Sequence, residues 1–253
     1  MHKFNSGGVE IAYELAGEGP PVLLIHGFAS NGRVNWRDTG WVKTLADAGR
    51  CVIVIDNRGH GESEKLYDPA LYTAPVMADD ARRLLDHLQI ERADVMGYSM
   101  GARIAAFLTI QHPARVRSAI FAGLASRMIT GVGGAEEIAR ALEAPSSAEV
   151  TAPGPRAFRL FAEQTRSDLK ALAACMRSAR AKITAEELGR IAVPVLVVAG
   201  EKDEVAGDVA PLVAAIPGAK GVTLRGRNHM SAVGDKGYKA EVLAFLQSAL
   251  SAR

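Results

Sequence analysis

Short, continuous apolar runs recur along the chain, separated by stretches in which apolar positions follow a helical repeat. Continuous rather than alternating hydrophobicity is typical of strands that are covered on both faces, as in parallel sheets. The pattern predicts strands at residues 9–15, 22–25, 51–55, 93–96, 118–122, 193–199 and 221–224.

Helical periodicity fills most of the intervals between these runs. The predicted helices span residues 41–48, 76–88, 102–112, 209–216 and 236–250. Strands that alternate with helices in this way are typical of an open, mostly parallel α/β sheet.

The segment 124–190 breaks this alternation, because it holds helical patches at 135–142, 157–165 and 167–180 but no convincing strand. We interpret it as a helical cap, which leaves 1–123 and 191–253 as the α/β core. Six basic residues lie among its apolar positions. They could meet an acidic substrate, but the pattern favours a solvated helix face. They are Arg156, Arg159, Arg166, Lys170, Arg177 and Arg180.

Composition narrows the class of protein. The chain has 253 residues, 48% of them hydrophobic, and a net charge of +2 without a basic run, so we expect no nucleic-acid partner. We expect no membrane partner either, since no apolar stretch approaches the ~18 residues of a membrane span.

The expected location is the cytoplasm. The first residues lack the apolar core of a signal peptide, and Cys51 and Cys175 are interpreted as two reduced thiols. No feature indicates an oligomeric state.

The segment Gly97-Tyr98-Ser99-Met100-Gly101 lies between a predicted strand and a predicted helix. A serine between two glycines in this context is the pattern of a nucleophile elbow. The chain reverses within about one residue there, and side chains two residues before and after the serine would collide. The alternative is an ordinary serine at a helix N-cap.

A nucleophilic serine needs a base, and the base needs an acid to orient it, in the chain order serine, acid, histidine. Of the two histidines that follow Ser99, His112 ends a helix, whereas His229 lies on a loop after the last strand. Asp203 follows the predicted strand 193–199 closely and is the favoured acid, with Glu201 and Glu204 as local alternatives.

A tetrahedral intermediate also needs amide donors. We expect the backbone N–H groups of Met100, which follows the serine, and of Phe28, in the loop after the strand 22–25. Trp36, Met128 and Met230 are candidates for the substrate pocket. No histidine pair has metal-ligand spacing on a helix, so we expect no metal.

These motifs resemble the α/β-hydrolase fold superfamily in order and spacing over almost the whole chain. The matching residues are His26-Gly27-Phe28, the stretch 56–63, the elbow at 97–101, Gly200 to Asp203, and Asn228-His229. The resemblance implies a doubly wound, mostly parallel eight-stranded sheet, a helical cap after the sixth strand, and a structural role for His60. Serine at the elbow argues against haloalkane dehalogenases and epoxide hydrolases, whose nucleophile is aspartate.

The sequence therefore predicts a serine hydrolase that cleaves small to medium carboxylic esters through an acyl-enzyme, without a cofactor. Its only expected partner is the small-molecule ester. A lactonase, thioesterase or C–C bond hydrolase on the same three residues remains an alternative, as does a ligand-binding hydrolase-fold protein with little turnover.

Overall fold

The protein is built around one β-sheet. Its structure is a computed structural model that describes residues 1–178 and 182–251. Its strands are β1 (His2–Ser6), β2 (Val9–Ala16), β3 (Pro21–Ile25), β4 (Cys51–Ile55), β5 (Ala93–Tyr98), β6 (Val116–Ala122), β7 (Val195–Gly200) and β8 (Lys220–Leu224). Within the described chain these eight strands lie in the order β1-β2-β4-β3-β5-β6-β7-β8.

The sheet is mostly parallel, as predicted. β1 and β2 form an antiparallel hairpin and β2 pairs antiparallel with β4, whereas every pairing from β4 through β3 to β8 is parallel. The prediction from periodicity lacked β1. Its residues alternate between exposed and buried, because only one face of this edge strand is covered, so it shows no continuous apolar run.

Helices cover both faces of the sheet. They are α1 (Trp41–Asp47), α2 (Ala74–His87), α3 (Met100–Gln111), α4 (Ser126–Thr130), α5 (Ala135–Glu143), α6 (Pro153–Gln164), α7 (Leu169–Arg177), α8 (Ala185–Gly189), α9 (Val209–Ala215) and α10 (Lys236–Ser251). Among the described residues, none of these helices combines the length and hydropathy of a membrane span.

Side chains of the central strands alternate between two core clusters. In β3, Leu23 and Ile25 pack with α2 and α3, whereas Val22 and Leu24 pack with α1 and α10. This is the two-residue period of a strand, and it explains why the central strands read as unbroken apolar runs.

The segment between β6 and β7 contains helices α4 to α8 and no strand among its described residues. The short helices α4 and α8 were not predicted, and the helix predicted over 167–180 begins at Leu169. Residues 179–181, which include Arg180, lie outside the described residues. A separate apolar cluster joins α5, α6 and α7.

A buried charge cluster lies at the amino-terminal end of β5. Asp94 is fully buried and accepts hydrogen bonds from Arg50, from Arg117 Nε and Nη2 at 3.0 Å each, and from Ser118 Oγ at 2.7 Å. These contacts join the starts of β5 and β6 to the residue before β4. Two guanidinium groups, that of Arg50 buried and that of Arg117 partly buried, therefore share one carboxylate.

We expect Asp94→Ala to destabilise the fold by about 3–5 kcal/mol, because removal of one partner leaves buried charges uncompensated. Urea unfolding monitored by circular dichroism measures the change. Asp47→Ala is the matched control, since Asp47 pairs with Lys43 at an exposed site, where the loss is about 0–1 kcal/mol. Equal losses in the two variants contradict the assignment of this cluster to stability.

Candidate active site

Ser99 occupies a strained turn between β5 and α3. Its backbone has φ 55° and ψ −115°, a conformation that residues other than glycine rarely adopt. Its N–H donates to the Ala122 carbonyl at 2.7 Å. A Cβ at Gly97 would collide with the Gly101 carbonyl, and a Cβ at Gly101 would collide with the Ile25 carbonyl. The two glycines therefore let the helix start directly against the ends of β5 and β3.

The structure brings Ser99, His229 and Asp203 together in one hydrogen-bonded line. His229 Nε2 lies 3.1 Å from Ser99 Oγ, and His229 Nδ1 lies 2.8 Å and 3.0 Å from the two carboxylate oxygens of Asp203. Because a carboxylate only accepts, His229 Nδ1–H donates to Asp203, and Nε2 is free to accept the serine proton. The Asp203 side chain is fully buried, and that of His229 is 21% exposed.

Two contacts fix the loop that carries His229. Asn228 Oδ1 accepts hydrogen bonds from the backbone N–H groups of Met230 and Ser231, which closes a tight turn. The Tyr98 hydroxyl donates to the His229 carbonyl at 2.5 Å. Burial raises the pKa of the Tyr98 phenol, which keeps it a donor. Since Tyr98 precedes Ser99, the same segment positions the serine and the histidine.

The acid is held by the loop after β7. Asp203 Oδ1 accepts hydrogen bonds from the backbone N–H groups of Val205 and Ala206 at 3.1 and 2.9 Å. The alternative acids lie elsewhere: Glu201 is exposed and accepts from the Gly226 N–H, and Glu204 is exposed. The geometry therefore selects Asp203 as the carboxylate at His229.

The loop after β3 lies beside Ser99, since a Cβ at Gly27 would be 3.3 Å from Ser99 Cβ. The Gly27 N–H donates to Asn35 Oδ1, and the Gly27 carbonyl accepts from His26 Nδ1–H at 2.7 Å. Burial lowers the pKa of His26 to about 4, so its ring is neutral, and Nε2 accepts from the Asn57 N–H.

The next amide on this loop, Phe28 N–H, has no hydrogen-bond partner among the described residues, and neither has Met100 N–H. The peptide between Gly27 and Phe28 is planar and trans, so fixing the Gly27 carbonyl points the Phe28 N–H in the opposite direction. The two predicted amide donors therefore lie in the loop after β3 and at the first residue of α3.

An apolar cluster joins the two predicted oxyanion residues to the segment 124–190. Tyr72, Ala174 and Cys175 are buried there, with Phe28, Leu66 and Met100 packed against them. Cys175 Sγ lies 4.0 Å from Met100 Sδ. Leu66, Tyr72 and Cys175 were not predicted at the site, because no local sequence pattern connects these separate segments.

The predicted pocket residues are dispersed. Trp36 is fully buried, with its ring edge-on to Trp41 at 6.3 Å, and Met128 is fully buried in the core cluster that holds α2 and α3. Trp36 lies in a different core cluster from Phe28 and Met100, whereas Met128 lies in the core cluster against which Met100 packs. Met230 is 58% exposed and follows His229 directly.

Two arginines of the segment 124–190 serve its internal structure. Arg159 is buried and donates to the carbonyls of residues 141, 142 and 144 and to Glu163. Arg177 pairs with Glu136 and Glu143. Arg177 is exposed, as expected for a solvated helix face, whereas the buried Arg159 is neither on a solvated face nor available to a substrate.

Comparison with known proteins places this geometry in a family. The model of the alpha/beta hydrolase fold family matches residues 20–148. The chain belongs to this family. Its fold is that of solved members: the enol-lactonase from Burkholderia xenovorans LB400 is 25% identical, with a TM-score of 0.82 over 97% of this chain and 100% of that chain. A hydrolase from Pseudomonas aeruginosa PA01 is 27% identical, with a TM-score of 0.80 over 97% of each chain.

Curated relatives of this chain match over shorter spans. Non-heme chloroperoxidase CPO-A1 of Kitasatospora aureofaciens is 38% identical over 45% of this chain and 40% of its own length. The 2-hydroxymuconate semialdehyde hydrolase of Pseudomonas sp. (strain CF600) is 38% identical over 47% of this chain and 42% of its own. The chain thus spans less than half the length of these relatives.

We expect Gly101→Ala to destabilise the protein by about 1–3 kcal/mol, because the added methyl meets a backbone carbonyl that cannot move without shifting β3. Thermal unfolding measures the loss. Gly133→Ala is the matched control, since a Cβ there meets no atom within 4 Å. A Gly101→Ala protein as stable as the control would show that α3 can move away from the Ile25 carbonyl without loss of stability.

The stability of the protein should fall as pH drops below about 6.5. Burial, with neighbouring His26, lowers the pKa of His60 from 6.5 to about 3, and the unfolded chain binds the proton first. Stability is therefore full above pH 6.5 and declines toward the folded-state pKa values, by about 1.4 kcal/mol per pH unit for each buried histidine.

Urea unfolding between pH 4 and pH 7 measures this slope. In His60→Phe the slope should decrease by about one proton's contribution. An unchanged slope in His60→Phe contradicts the assignment.

Proposed function

We propose that this protein is a serine hydrolase that cleaves small to medium carboxylic esters through an acyl-enzyme. The observation that carries the proposal is the hydrogen-bonded line from Ser99 Oγ through the His229 ring to Asp203, with distances of 3.1 Å and 2.8 Å. A serine hydroxyl is a weak nucleophile alone, and this arrangement supplies the base and its orienting acid.

In the first half-reaction Ser99 Oγ attacks the acyl carbon while His229 Nε2 takes the hydroxyl proton. Asp203 holds the Nδ1–H tautomer and stabilises the positive charge that develops on the ring. The negative charge on the former carbonyl oxygen is met by the amides of Met100 and Phe28. The tetrahedral intermediate then collapses, His229 returns its proton to the leaving alkoxide, and the alcohol departs.

The second half-reaction uses water in place of the alcohol. His229 Nε2 accepts a proton from water as its oxygen attacks the acyl-enzyme carbonyl. The same two amides meet the second oxyanion. Collapse breaks the bond to Ser99 Oγ, which regains its proton from His229, and the carboxylic acid leaves.

The apolar surroundings of Ser99 support an uncharged acyl group of modest size. Phe28 and Met100 pack with Leu66, Tyr72 and Cys175, and none of these five is an Asp, Glu, Lys, Arg or His. A lactone is the second candidate substrate, because an enol-lactonase shares the fold over nearly its whole length, and lactone opening is the same acyl transfer on a cyclic ester.

We expect the wild type to hydrolyse p-nitrophenyl butyrate and Ser99→Ala to lose at least about 10⁴-fold in kcat, because the covalent route needs the hydroxyl. Release of p-nitrophenol measures the rate. Ser248→Ala, at an exposed position on α10, should retain wild-type activity. Equal rates in wild type and Ser99→Ala would falsify the proposal.

A fluorophosphonate probe separates this hydrolase from a ligand-binding protein with little turnover. Strong labelling that is lost in Ser99→Ala and in His229→Ala favours an activated serine. A parallel panel of short esters, lactones and thioesters then ranks the leaving groups. Turnover of lactones alone would make the second candidate substrate the correct one.

A further inference from the structure

The turn between α6 and α7 touches the loop that carries Phe28. Thr165 Oγ1 donates to the Ala29 carbonyl at 2.8 Å, and Ser167 Oγ lies 2.9 Å from Thr165 Oγ1 and 3.5 Å from the same carbonyl. Two hydroxyls thus converge on one backbone oxygen. That oxygen belongs to the residue next to Phe28, whose amide the proposed function places at the oxyanion.

Ala29 is held in a conformation that it would not adopt alone. It is fully buried with φ 58°, and it is the third residue of a turn closed by the Ser30 N–H to Gly27 carbonyl bond at 3.3 Å. Positive φ at this turn position suits glycine, whereas an alanine Cβ makes it sterically costly. Such strain persists only where neighbouring contacts impose it.

The other side of the contact is strained as well. Arg166 has φ 54° and follows α6 in the position where helices usually place glycine. Its N–H donates to the Glu163 carbonyl at 3.0 Å, and the Ser167 N–H donates to the Ala162 carbonyl at 2.9 Å. The left-handed backbone conformation of Arg166, directly after α6, lets the hydroxyls of Thr165 and Ser167 point at the same acceptor.

The Phe28 amide is therefore held from two directions. On the core side, His26 and Asn35 fix both polar groups of Gly27. On the other side, the Phe28 ring packs edge-on against Phe158 of α6 at 6.0 Å, and Ala29 lies in the apolar cluster of α5, α6 and α7. Only the second set of contacts depends on the helices between β6 and β7.

We propose that Thr165, assisted by Ser167, is a positioning residue for the oxyanion hole. Its hydroxyl holds the Ala29 carbonyl, keeps the turn in its left-handed form, and so fixes the direction of the Phe28 N–H. The proposal rests on the proposed function, in which that N–H meets the oxyanion. It couples the seating of the helices above the site to stabilisation of the transition state.

The kinetic test compares Thr165→Val, which replaces the hydroxyl by a methyl, with Thr165→Ser, which keeps it. Thr165→Val should lose roughly ten- to a hundred-fold in kcat for p-nitrophenyl butyrate, with KM changed less than about threefold, because the transition state uses the donor most. Thr165→Ser and Thr151→Val, an exposed threonine of the same segment, should stay within about twofold of wild type. Rates are normalised to active sites titrated with the fluorophosphonate.

The strain provides a second test. Glycine adopts positive φ freely, so Ala29→Gly should make the turn independent of the hydroxyl. In the double variant Ala29→Gly/Thr165→Val, kcat should return to within about threefold of Ala29→Gly alone. A double variant as slow as Thr165→Val overturns the proposal, as does a Thr165→Val protein with a lower melting temperature and wild-type kcat.

Hydrogen exchange tests the same contact without turnover. Peptides that cover residues 26–31 should exchange faster in Thr165→Val than in wild type, whereas those of α5 should be unchanged. Unchanged exchange at 26–31 overturns the positioning role even if the protein hydrolyses esters. Faster exchange in a protein that hydrolyses no ester supports the contact and defeats the proposed function alone.

Discussion

The backbone of Ser99 is the constraint on which the site depends. A residue at φ 55° and ψ −115° is unfavourable alone, so neighbours must impose it. They do so through contacts that only glycine permits, where Gly97 and Gly101 bring α3 against the ends of β5 and β3. The Gly27 loop lies beside the serine as well, and Tyr98, the residue before Ser99, binds the histidine loop through its hydroxyl.

Much of this architecture could be predicted from local sequence. The buried strands β3, β4 and β5 read as apolar runs because both faces of the sheet are covered, and the elbow glycines are visible because no other residue fits. His229 and Asp203 could be named because chain order leaves few alternatives. The structure brings these two together with Ser99, and their catalytic roles remain the proposal made above.

The features that escaped prediction depend on contacts between distant segments. Leu66, Tyr72 and Cys175 meet beside Met100, yet each is an ordinary apolar residue in its own segment. The buried position of Arg159 follows from three carbonyls exposed where α5 ends, which no charge pattern reveals. The contact between Thr165 and Ala29 joins residues 136 positions apart, and the strain at Ala29 has no sequence signature.

The order of the site residues along the chain has a consequence for folding. Ser99 and His229 are 130 residues apart, and the imidazole follows β8, at the far edge of the sheet from β1. Synthesis delivers the elbow early, but the base and acid arrive only after β7 and β8 have been made. Contacts this distant close slowly, because loop-closure entropy is lost before pairing compensates for it. Assembly of the serine, histidine and aspartate line is thus a late event, so a partly folded chain exposes the serine without its histidine.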